Sequence, residues 1–142
     1  MTKVLKTLTD TVYDSVEGYR KASEKAESPQ LKTALNDRLQ QREKTLQTLN
    51  AELQRHGEEL VTKGTVTGEL HQMWMSIADL FERGDEAAAE RVEEGEDYLK
   101  SKFETALDAD GLDAGERAVI QQCYDEVCQG EAFGDQIAQR YD

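Results

Sequence analysis

The sequence predicts an all-α protein, a four-helix bundle with one short extra helix in its middle connection. Three observations carry this. The 142 residues include one proline, and the ten glycines fall mostly at segment ends, so the backbone hydrogen-bond ladder of a helix is seldom interrupted. Apolar residues recur at three- and four-residue steps, which makes one stripe on a helix. Four segments carrying such stripes are matched in length, roughly 23 to 27 residues or about 35 to 40 Å at 1.5 Å per residue.

The first segment, residues 3 to 27, has its stripe at Leu5, Leu8, Val12, Val16, Tyr19, Ala22 and Ala26. Ser28 then offers a capping hydroxyl and Pro29 occupies the first helical position, where its missing N–H costs nothing. The second helix runs from there along Leu31, Leu35, Leu39, Leu46, Leu49 and Leu53 to Gly57, a left-handed C-terminal residue. Residues 58 to 66 show no sustained period and are expected to be a connection. A short third helix is expected from Thr67 to Arg83 with Leu70, Met73, Trp74, Ile77, Leu80 and Phe81 on its apolar face. Gly84 ends it, and Asp85 is expected to cap the fourth helix, residues 86 to 108, which buries Ala88, Val92, Leu99, Phe103 and Ala106 with Gly95 inside the stripe.

The run Asp108 to Glu116 is a turn. Its glycine, Gly111, is fourth from Asp108 and not sixth as a calcium loop requires. Asp113 and Glu116 stand at capping-box spacing and start the last helix, residues 114 to 140. The first two long helices are joined by a tight turn and the last two by a slightly longer one, so each pair is an antiparallel hairpin. Almost thirty residues link the hairpins. A connection of that length can cross the whole bundle, which gives the up-down-down-up arrangement of ferritin-like folds. Residues 1–142 are expected to form one such domain.

Composition narrows the partners. Seventeen Lys and Arg against thirty Asp and Glu leave a net charge of −13, and such a surface repels phosphate backbones. Nucleic acid and membrane are not expected partners. The opening MTKVLKTL lacks the apolar core of a signal peptide, and no stretch approaches the ~20 apolar residues that span a bilayer, so a cytoplasmic location is expected. Cys123 and Cys128 are five apart on one helix and point to different sides; they are expected as one buried and one exposed thiol. No Ser-His-Asp or Cys-His set with supporting residues points to an enzyme.

Glu17-Gly18-Tyr19, Gln41-Arg42, Leu70-His71 with Trp74-Met75, and Gly95-Glu96-Asp97 together resemble a bacterial four-helix-bundle family of unknown function in the ferritin-like superfamily. The likeness covers nearly the whole chain in the same order. It implies an architecture and almost no activity. Ferritin-like bundles often hold two metal ions between inward carboxylates and Glu-x-x-His pairs. Three residues on from Glu96, Glu126 and Glu131 stand Leu99, Gln129 and Gly134, so none makes the pair. Members of the resembled family often carry a histidine before the aspartate near the end of the last helix, and here Gly134 precedes Asp135.

Projection at about 100° per residue places Glu17 about 160° from the first helix's stripe centre, facing water. The inward positions Val12, Val16 and Tyr19 supply no hard anionic ligand. Arg42 projects into the middle of the leucine stripe with Arg38 at its edge, and a buried guanidinium needs a carboxylate. Glu96 is the first choice of partner, with Glu126 and Glu131 flanking the last stripe. Gly130 and Gly134 face inward and allow a close backbone approach or leave room for a side chain. His71 and Met75 fall off the third helix's stripe beside Trp74, through packing on more than one side or through a subunit contact.

The expected function is a non-enzymatic binding or assembly module with no cofactor, a homo-oligomer with a dimer favoured. His71, Trp74 and Met75 are its interface candidates, and Arg38, Arg42 and Glu96 its polar core or ligand candidates. The alternative is an oxidoreductase or metal store holding iron or manganese on His56, Glu96, Glu126 and Glu131. A second alternative is a carrier of a small anionic ligand at Arg42.

Overall fold

A computed structural model describes residues 2–62 and 69–141, and among these the regular structure is entirely helical. Five helices follow in order: α1 (Thr2–Lys25), α2 (Pro29–Arg55), α3 (Glu69–Leu80), α4 (Asp85–Asp108) and α5 (Ala114–Arg140). The last turn of the expected third helix is a tighter 3-10 turn, Phe81–Arg83. Residues 63–66 of the expected connection, Thr67 and Gly68 of the expected third helix, and the Leu70 side chain lie outside the described residues.

Local chemistry sets the boundaries. Ser28 Oγ accepts from Leu31 N–H at 3.3 Å ahead of Pro29. At the other end of α2, Gly57 has φ +75°, Gly57 N–H bonds Gln54 O and Glu58 N–H bonds Leu53 O, both at 3.0 Å, which is a Schellman ending. The Asp113–Glu116 capping box opens α5. Two expectations are corrected. α1 stops at Lys25, two residues early, because the N–H groups of Glu27 and Ser28 turn away to the Asp85 carboxylate at 3.3 and 3.0 Å. Asp85 is therefore not the cap of α4: Gly84, with φ +112°, holds that position, and Asp85 ties the α1–α2 turn to the start of α4.

These contacts also fix direction. The end of α1 meets the start of α4 at Asp85, while Lys3 and Val4 share a groove with Lys102 and Ala106, so α1 and α4 are antiparallel. Ser28 Oγ lies 3.3 Å from Tyr141 Oη, and His56 lies 3.9 Å from Asp113, so α2 and α5 are antiparallel. Around the bundle the order is α1, α2, α5, α4. The connection from α2 to α4 returns the full length of the bundle, with α3 running beside α1 and against α4.

α3 explains why α1 is buried so widely. Thr11 and Asp14 are buried although they lie off the apolar stripe, while Thr9, Ser15 and Ser23 are buried within or beside it. The hydroxyls of Thr9, Thr11, Ser15 and Ser23 are satisfied by carbonyls three or four residues back on the same helix. The core itself is in two parts. One cluster gathers Tyr19, Leu31, Leu35, Trp74, Ile77, Phe81, Val92 and Ile137. The other gathers Leu5, Val12, Leu49, Leu53, Leu99, Phe103, Ile120 and Val127. Between them lies a polar layer.

Candidate functional site

The polar layer is built around Arg42, whose side chain is wholly buried in the middle of α2. Desolvating a guanidinium is tolerable only if its donors are met by acceptors and its charge by carboxylates. Both conditions hold. Nη2 donates to Glu96 Oε2 at 2.8 Å, Nε to Glu126 Oε1 at 2.8 Å and Nη1 to Ser15 Oγ at 3.0 Å. The second oxygens are also used: Tyr19 Oη donates to Glu96 Oε1 at 2.9 Å and Arg38 Nη2 to Glu126 Oε2 at 2.7 Å, while Thr45 Oγ1 donates to Glu126 Oε1 at 2.7 Å. The guanidinium carbon stands 5.7 Å from the centre of the Tyr19 ring.

Electrostatics follow the geometry. Burial works against the Arg42 charge, but Glu96 and Glu126 outweigh it and hold the guanidinium protonated well above its ordinary range. Burial would raise Glu126, yet Arg42, Thr45 and Arg38 hold its carboxyl below the usual range. Tyr19 is pushed well above its ordinary value by burial and by the Glu96 charge beside it, so it serves as a permanent donor. Cys123, on the α5 wall below, is pushed up to about 12 by burial and by Glu126, which makes it an inert thiol. Cys128 is half-buried, where an exposed thiol was expected.

Glycines make the room. A Cβ on Gly130 would overlap the Glu96 carboxylate and Arg42 Nη2, so α5 carries no side chain where the ion pair sits. Gly134 has a different reason: a Cβ there would stand 3.1 Å from Glu93 Cα, and its absence lets α4 and α5 approach backbone to backbone. On the other side of the layer, Trp74 slots between two helices. Cβ atoms on Gly18 and Gly95 would come within 2.8 and 2.9 Å of its indole. Trp74 is fully buried, 5.3 Å from the Tyr19 ring centre to centre.

Of the residues singled out as interface candidates, Trp74 is thus core, taken up by packing within the chain. Met75 is half-buried and lies 3.6 Å from Lys21 Nζ. His71 Nδ1 is 2.8 Å from Asp14 Oδ1, a contact that the stripe of α1 alone gave no sign of. Glu17, expected in water, is half-buried beside Arg20.

The alternative metal set does not assemble. Glu96 and Glu126 are both spent on Arg42, Glu131 faces Lys100 at 3.3 Å, and His56 is the C-cap residue just past α2 with Nε2 3.0 Å from Glu52 Oε2. His56 neighbours Asp113, and thirteen residues of α5 separate Asp113 from Glu126, about 20 Å at 1.5 Å per residue. Nor does Arg42 offer a free donor face to an anionic ligand, since such a ligand would have to displace a carboxylate. Among the described residues, two groups of ligating atoms do converge, each within 4.8 Å: Asp97, Glu131 and Asp135 on the outer α4–α5 face, and His56, Asp113 and Glu116 at the end of the bundle.

A family model described as a domain of unknown function (DUF2383) matches residues 1–109, from α1 through α4, and the chain belongs to that family. No curated protein and no solved structure matches the chain. Among the described residues, no helix is long and apolar enough to cross a membrane.

Proposed function

We propose that this member of the DUF2383 family is a ferritin-like bundle that has exchanged metal chemistry for a structural cation, and that it serves as a non-enzymatic binding or assembly module. One observation carries the reading: a buried guanidinium occupies the gap between the inward carboxylates Glu96 and Glu126. Those two acids are the ones a dimetal centre between α4 and α5 would use, and their charge is already matched. α1 turns Ser15 and Tyr19 toward the layer in place of a carboxylate. The full-length return from α2 to α4 supports the ferritin-like topology independently of the site.

The layer then does for the bundle what a buried polar residue does in a coiled coil, fixing the register of α1, α2, α4 and α5. Function moves to the surface of a chain whose net charge is −13. Self-association into a dimer belongs to this reading, and sedimentation at several concentrations tests it: a concentration-dependent shift to twice the chain mass is expected, and a monomer throughout removes the dimer. Iron or manganese analysis of untagged, reconstituted protein tests the core. No metal dependent on Glu96 and Glu126 is expected. Two ions per chain, lost in Glu96→Gln and Glu126→Gln, would overturn the proposal.

A further inference from the structure

At the end of the bundle, the C-terminus of α2 meets the N-terminus of α5. The Asp113–Glu116 capping box uses one oxygen of each acid: Asp113 Oδ1 accepts from Glu116 N–H at 2.7 Å, and Glu116 Oε1 accepts from Asp113 N–H at a long 3.5 Å. The other oxygens have different fates. Asp113 Oδ2 faces His56 Nε2 at 3.9 Å. Glu116 Oε2 is buried without any hydrogen-bond partner, in a residue that is 0% exposed. A buried carboxylate oxygen left bare is costly, and a capping box does not need it. Atoms from His56, Asp113 and Glu116 nevertheless lie within 4.8 Å of one another.

We propose that His56, Asp113 and Glu116 form a binding site for one divalent transition-metal ion, which clips α2 to α5. The ligand types fit: an imidazole with two carboxylates suits zinc, manganese or iron better than calcium or magnesium, which prefer all-oxygen shells. The charge fits as well. Asp113, Glu116 and Glu52 bring three negative charges, and Arg55, which chelates Glu52 at 2.9 and 2.8 Å, offsets one. Glu52 Oε2 at 3.0 Å from His56 Nε2 already holds the imidazole on the spot and is within reach as a further ligand. The positive end of the α5 dipole would oppose a cation, but the capping carboxylates and the negative C-terminus of α2 meet it there. The ion would satisfy Glu116 Oε2.

The site is independent of the Arg42 layer, so the two proposals fail separately. Zinc titrated calorimetrically into metal-stripped, untagged protein should bind one per chain. The chain has two histidines, which gives an internal control: in imidazole nitrogen spectra His56 should shift while His71, held on Asp14, stays. Glu116→Gln keeps the capping box, because glutamine also accepts there, and should weaken zinc binding about tenfold or more. His56→Ala, at the rim of the site, should do the same and serves if Glu116→Gln does not fold. No zinc binding, binding that leaves His56 unshifted, or wild-type affinity in the folded variants would overturn the site.

Discussion

Arg42 Nη2 and Glu96 Oε2 stand 2.8 Å apart with neither side chain exposed to solvent. Breaking such a pair from one side strands the other charge in the core. Arg42→Met should therefore lower stability by about 3–5 kcal/mol in urea unfolding. Removing Glu96 as well should recover part of the loss, because Glu126 keeps Arg38 and Thr45. If Arg42→Met/Glu96→Met is less stable than Arg42→Met alone, the pair is not what holds the layer.

Gly130 gives a second view of the same layer. Alanine normally favours a helix over glycine by about 1 kcal/mol. Here the added methyl would overlap the Glu96 carboxylate and Arg42 Nη2, neither of which can retreat to water. Gly130→Ala should cost about 1–3 kcal/mol, the range for overpacking a core, measured by urea unfolding. A gain in stability would mean that the ion pair has room to move.

Much of this was legible in the sequence because helix periodicity and capping are local. Ser28-Pro29, Gly57 and the Asp113–Glu116 spacing name their helix ends without tertiary information, and a projection of α2 is enough to send Arg42 inward. What depends on a neighbour was not legible. α1 reads as a one-faced helix, yet α3 covers a second face, so the burial of Asp14 and its contact with His71 follow only from the packing. Asp85 looks like a cap because capping is the commonest local use of an aspartate there, but its carboxylate is claimed by the α1–α2 turn. The bare oxygen of Glu116 was hidden for the same reason: spacing announces the capping box and says nothing of the oxygen it leaves over, or of His56 arriving from α2.

Trp74 makes the slot between Gly18 and Gly95 measurable, since it is the single tryptophan. Its emission should be that of an apolar site. Gly95→Ala would put a Cβ about 2.9 Å from the indole and should push the ring toward water, red-shifting the emission along with a loss of thermal stability. Unchanged emission would mean that α3 does not dock through this ring.

Glu126 should appear in the acid limb of stability. Its folded carboxyl is held below the usual range, chiefly by Arg42 against the opposing effect of burial. A group of that sign stabilises above its ordinary unfolded value, about 4.3, and loses the contribution as pH falls through the lower folded value. Glu126→Gln should be less stable than the wild type at pH 7, with the gap closing on acidification. A gap independent of pH would assign the effect to packing rather than to charge.

The outer α4–α5 face has the opposite sign. Burial and then the hydrogen bond and charge of Asp135 raise Glu93; the Asp135 hydrogen bond and then burial raise Glu131; burial and then the Asp135 charge raise Asp97. An acid whose folded value lies above its unfolded one weakens the protein at neutral pH, and the penalty fades as pH falls through the raised value toward about 4. Asp135→Asn removes the charge common to all three and keeps a hydrogen-bond donor. It should raise the melting temperature at pH 7, with a smaller gain in high salt because these groups are partly exposed, and with little gain near pH 4. A variant less stable than the wild type at pH 7 would show that the shared hydrogen bonds outweigh the repulsion, and that this face is held together by its protons.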